Sequence, residues 1–161
     1  MEQIWSDHLD GAQSAVALDI HTGLGPLGRL TMFQKADETE PSAATGAAWF
    51  PAYVYRSDRT LSVDHGLMGP GFDEWAAGRL DTAAFVVEFG TLEPADGVKV
   101  FRADNWLHAH GDPASKLGLQ IRQNMLEFFF VEDEGWRQAV ADQGMEVLHQ
   151  TLDGIAAGDR A

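Results

Sequence analysis

Ala83-Ala84-Phe85-Val86-Val87-Glu88-Phe89 is an apolar run with a single carboxylate near its end. Branched and aromatic residues dominate it, and no polar residue interrupts it before Glu88, so it predicts a strand. A strand apolar on both faces is covered on both sides and belongs at the centre of a sheet. Alternation puts Val86, Glu88 and Gly90 on one face, and Gly90 has no side chain to keep a neighbour away. A carboxylate in such a strand costs several kcal/mol unless it is paired, protonated or linked to a metal. That makes Glu88 a candidate functional residue. A buried ion pair, or a strand end that reaches solvent, would satisfy it equally well.

Working outward, Ser14 to Ile20 is a second short apolar run and predicts a buried strand. It ends on His21 and enters a glycine-rich loop, Thr22 to Gly28. Strand ends that pass into such loops are where α/β folds place their active sites. Asp19 precedes His21 by two residues on the same strand face and is placed to orient the imidazole. A histidine satisfied by backbone is the simpler reading. Leu30–Phe33 and Tyr53–Tyr55 predict two more strands, and Ser57 to Gly71 a polar, glycine-rich loop.

Helices are expected over Glu2–Ala12, Asp37–Trp49 and Phe72–Leu80, and from Pro94 towards His108. Asp112 is expected to cap the next helix, with Pro113 at its first position and Leu117, Ile121, Met125 and Phe128 on its apolar face. Asp133 is expected to cap the last, whose stripe is Trp136, Val140, Val147 and Thr151, with Leu148, Leu152 and Ile155 beside it. Strands interleaved with helices give an α/β class and a single domain over residues 1–161.

Composition narrows the function. The 161 residues carry 25 acids against 11 bases, a net charge of −14. Nucleic acids and anionic membranes are therefore excluded as partners. No cysteine is present, which removes disulfides, thiolate zinc sites and a cysteine nucleophile. No apolar run approaches the ~18–20 residues of a membrane span. The acidic start resembles no signal peptide, so a cytoplasmic location is expected.

Other motifs are set against simpler readings. Gly23-Leu24-Gly25-Pro26-Leu27-Gly28 matches G-x-G-x-x-G, but a dinucleotide fingerprint opens a helix, and here Pro26 intervenes and a strand follows. Asp104, His108 and His110 could cluster around a metal, although His110 turns away from the other two on a helix. Glu146 and His149, with Asp142 and Asp153, fit a solvated helix face, because a carboxylate di-metal site needs such pairs from two helices.

Ala17-Leu-Asp-Ile-His-Thr-Gly-Leu-Gly-Pro-Leu-Gly28, Phe85-Val-Val-Glu-Phe-Gly-Thr91 and Phe101-Arg-Ala-Asp-Asn-Trp-Leu-His108 together resemble an uncharacterised bacterial branch of the zinc carboxypeptidase superfamily. Succinylglutamate desuccinylase and aspartoacylase belong to the same superfamily. The resemblance implies a mixed sheet with flanking helices, like the C-terminal half of the zinc-carboxypeptidase fold. It implies a zinc cofactor, with His21 as a metal ligand and Glu88 as the catalytic base. The reaction implied is hydrolysis of a peptide or an acyl-amino acid, with the glutamate first taking a proton from water and then protonating the leaving amine.

The chain departs from that pattern at the other zinc ligands. Residues three after each histidine are Gly11, Leu24, Met68, Gly111, Pro113 and Leu152, so His-x-x-Glu is missing. The expectation is therefore an incomplete active site that an upstream half completes, and that holds zinc weakly or not at all by itself. Ser62–Gly71 could border a substrate, and Arg29 or Arg102 could meet a substrate carboxylate. The alternative is a non-catalytic remnant or interaction module that self-associates through an exposed sheet edge without metal.

Overall fold

The structure is a computed structural model that describes residues 1–34, 41–56, 68–92 and 94–157. The described chain runs α1 (Glu2–Leu9), β1 (Ser14–Leu24), β2 (Leu30–Gln34), α2 (Pro41–Trp49), β3 (Val54–Arg56), α3 (Met68–Ala76), β4 (Asp81–Leu92), α4 (Pro94–His110), α5 (Lys116–Phe129) and α6 (Glu134–Ala157). The class is α/β, as the sequence predicts. The mixed sheet has the order β1-β4-β2-β3. β2 and β3 are parallel, with Met32 opposite Val54 and Gln34 opposite Arg56. The apolar run around Glu88 thus lies in an interior strand, between β1 and β2.

The chain forms two compact units. The first takes Met1–Ile20, Met32–Val87 and Met145–Ala161. Its core is Met32, Phe50, Phe72, Ala76, Phe85, Val87 and Val147, all essentially buried. Trp5 of α1 meets Phe72 edge-on at 5.3 Å between ring centroids, and Phe50 meets Phe85 at 5.1 Å. Gly154 lets α6 press against Trp49, where a Cβ would overlap the indole.

The second unit takes His21–Thr31 and Glu88–Gly144. Phe89, Leu107, Ile121, Phe128 and Trp136 form its core. Gly97 on α4 brings the helix backbone up to the Phe128 ring, with a Cβ-equivalent distance of 3.0 Å. Trp136 N–H donates to Asp133 Oδ1 at 2.8 Å, the cap expected for α6.

Several boundaries differ from the sequence expectation, for identifiable reasons. β1 does not stop at His21 but continues through Leu24. α3 starts at Met68, so the end of the expected Ser57–Gly71 loop is helical. Pro70 is tolerated there because first-turn N–H groups have no intrahelical acceptor. The rest of that loop, including the Ser62–Leu67 part of the expected substrate border, lies outside the described residues. So does the Asp37–Glu40 start of the helix expected before Trp49.

α5 is capped by Ser115 rather than Asp112. Ser115 Oγ accepts from Gly118 N–H at 3.0 Å. Asp112 instead holds the preceding turn, its Oδ1 accepting from Ala114 N–H at 2.9 Å. Ile121 and Phe128 are the buried residues of the expected α5 stripe, whereas Leu117 is exposed. On α6, Trp136, Val147 and Thr151 are buried, and Leu148, Leu152 and Ile155 face solvent.

Candidate active site

Two neighbouring strands carry the site. Glu88 on β4 is 6% exposed. Its Oε1 accepts from the Leu24 N–H at the end of β1, at 2.9 Å. Its Oε2 lies 3.9 Å from His21 Nδ1. The imidazole is far more open than its partner, with side-chain exposures of 47% and 8%. The buried carboxylate is thus paired, and the pairing uses the two residues that the sequence singled out. Alternation along β1 sets Asp19 on the same strand face as His21.

The glycine-rich loop is seated on β4 at Gly90. The Gly90 N–H donates to Arg29 O at 2.9 Å, and Gly28 N–H donates to Gly90 O at 2.9 Å. Trp136 Nε1–H donates to the same Gly90 carbonyl at 2.9 Å. A Cβ on Gly90 would overlap the carbonyls of Gly25 and Pro26. The close approach inferred from a bare residue two places after Glu88 is therefore made by this loop.

Two further side chains fasten the loop. Gln143 Nε2 donates to Gly28 O at 2.8 Å while its Oε1 accepts from Leu30 N–H at 3.0 Å. The buried Thr91 hydroxyl contacts Gly23 O at 2.8 Å and also the Phe128 carbonyl. Sequence reasoning missed Thr91, Trp136 and Gln143 as parts of the site. Trp136 was visible only as part of an apolar stripe, and a single Gln on a helix carries no signal of what backbone it will meet.

Other sequence candidates do not join this pair. Arg29 and Arg102 are exposed. Asp104 is half-buried, and His108 and His110 are exposed at the end of α4. Asp142, Glu146, His149 and Asp153 are exposed, as expected for a solvated face. β2, a strand, follows Gly28, which leaves G-x-G-x-x-G without the helix that binds a pyrophosphate.

Among the described residues, no three His, Cys, Asp or Glu side chains form a group able to hold a metal ion. A catalytic zinc takes about three protein ligands and keeps one open position. His21 alone does not meet that requirement, so the described residues do not fit a complete zinc centre.

Residues 1–143 match the model of a family described as a protein of unknown function, DUF2817. The chain belongs to the DUF2817 family. No curated protein matches this DUF2817 chain. It is similar to a solved protein of unknown function from Thermoplasma acidophilum, at 15% identity and a TM-score of 0.39. That similarity covers 93% of this chain and 57% of the other, so the DUF2817 chain spans little more than half the length of that protein. No helix among the described residues is long and apolar enough to cross a membrane.

Proposed function

We propose that this DUF2817 chain carries the general base and one metal ligand of a zinc-dependent amidohydrolase or metallopeptidase site, Glu88 and His21. The observation that carries the reading is the pairing of a buried carboxylate with a half-open imidazole, Glu88 Oε2 to His21 Nδ1 at 3.9 Å. The resemblance of the two surrounding motifs to the zinc carboxypeptidase superfamily points the same way. The remaining ligands would come from outside the described residues, and Asp19 would orient His21.

Glu88 suits a proton carrier because its position is fixed before any substrate arrives. The Leu24 amide holds Oε1, and Oε2 is presented towards the imidazole. In the proposed reaction Glu88 takes a proton from the water that attacks an amide carbonyl. It then returns that proton to the departing amine nitrogen as the C–N bond breaks. Positioned general acid–base groups contribute roughly 10²–10⁴-fold to such steps.

A second reading, an interaction module that self-associates through a sheet edge, is supported by β1. That strand lies at the edge of the described sheet and exposes Ile20. Zinc content and turnover of peptides and N-acyl amino acids separate the two readings. With the remaining zinc ligands supplied by a second segment, the hydrolase reading expects metal that is lost in His21→Ala and retained in Glu88→Gln, with turnover lost in both. A protein that self-associates and stays metal-free and inactive even with those ligands supplied would leave only the module.

A further inference from the structure

Two carbonyls at the end of α5 are met by hydroxyls from the two strands that carry His21 and Glu88. The last four carbonyls of a helix have no intrahelical donor, and in α5 these include Phe128 O and Phe129 O. Thr22 of β1, the residue after His21, donates its hydroxyl to Phe129 O at 2.6 Å. Thr91 of β4, three residues after Glu88, contacts Phe128 O and Gly23 O with its buried hydroxyl. A threonine hydroxyl has one proton, so Thr91 serves one of its two carbonyls at a time. The Thr22 proton goes to the helix end.

The contact continues at Gly23. A Cβ there would meet Phe128 Cε1 at 3.2 Å and the Phe129 ring at 3.4 Å. The rings of the same two helix residues thus pack against the β1 backbone between Thr22 and Leu24. Along four consecutive residues, His21 faces Glu88, Thr22 and Gly23 rest on α5, and the Leu24 N–H holds Glu88 Oε1. Peptide units are rigid and leave two soft dihedrals per residue, so loosening the middle of so short a segment releases both ends.

We propose that the C-terminal end of α5 sets the His21–Glu88 geometry, and that Thr22 is a positioning residue of the site, acting through the His21 backbone and the Leu24 amide. This rests on the hydrolytic reading of the pair and adds a residue to it. Thr22 touches neither Glu88 nor a metal. It is half-buried, and losing its hydroxyl leaves the core of Phe89, Leu107, Ile121, Phe128 and Trp136 untouched.

The test compares Thr22→Val, which keeps the branched shape and loses the hydroxyl, with Thr22→Ser, which keeps the hydroxyl. Thr22→Ala is read alongside, so the result does not hang on the folding of one variant. NMR on the full chain follows the Glu88 carboxyl carbon, the Leu24 amide and, as a reference, the Leu107 amide on α4. The expected result is that Thr22→Val and Thr22→Ala move the Glu88 and Leu24 signals and leave Leu107 in place, and that Thr22→Ser restores both. With zinc, and the remaining ligands supplied by a second segment, Thr22→Val should lower kcat about tenfold at unchanged KM, and Thr22→Ser should recover it. Glu88 and Leu24 signals at their native positions in a folded Thr22→Val or Thr22→Ala variant would overturn the proposal, and so would a serine variant that restores nothing. The NMR readout needs no turnover. If the signals move while no variant and no unsubstituted protein hydrolyses a substrate, the hydrolytic reading fails and the positioning by Thr22 stands.

Discussion

Gly90 has a sharper role than a missing side chain suggests. It is the residue on which the loop after His21 rests, and the clash at its Cβ is with backbone atoms, which cannot rotate away. Gly90→Ala should therefore cost on the order of 1–3 kcal/mol, measured by urea unfolding. It should also lower hydrogen-exchange protection of the Leu24 amide, the donor to Glu88. Thr91→Val leaves a buried corner with carbonyls and no hydroxyl, and should cost about 1–3 kcal/mol where Thr91→Ser costs little. Glu88 was legible in the sequence because a carboxylate in an apolar strand must have a partner. Leu24 was not, because its contribution is a backbone N–H that no residue type announces.

At the scale of elements, the strands and the cap of α6 were legible, and the start of α5 was not. β4 declared itself through an uninterrupted apolar run, and Asp133 through the helix behind it. Asp112-Pro113 carries the local signature of a helix start, yet Ser115 is three residues closer than Asp112 to the buried Gly118 and Ile121. Burial of that face decides between two competent caps, and a local pattern does not contain it. Ser115→Ala should cost about 1 kcal/mol, and Asp112→Ala less, in paired thermal unfolding.

Tyr53, just before β3, offers a pH test of the same kind. Burial first, then its hydrogen bond to Glu146, raises its pKa from 10.0. The folded state therefore holds this proton more tightly than the unfolded one. The contribution is fully present below pH 10 and is lost as pH rises through the folded value. Tyr53→Phe should flatten that part of the stability curve.

For the molecule as a whole, net charge is read directly from the sequence, whereas the grouping of the chain into two compact units is not. No linker or composition shift marks it, because strands β1 and β4 each contribute residues to both units. The net charge of −14 predicts no retention on heparin at physiological salt. Family membership in DUF2817 covers residues 1–143 and leaves the chemistry to be read from the site. That chemistry turns on Glu88. The most direct measurement is the hydrolytic rate of Glu88→Gln beside the unsubstituted protein at equal zinc content, with the remaining zinc ligands supplied by a second segment, on peptides and N-acyl amino acids. The account predicts a fall of about 10²–10⁴-fold with the fold intact. An unchanged rate would contradict it.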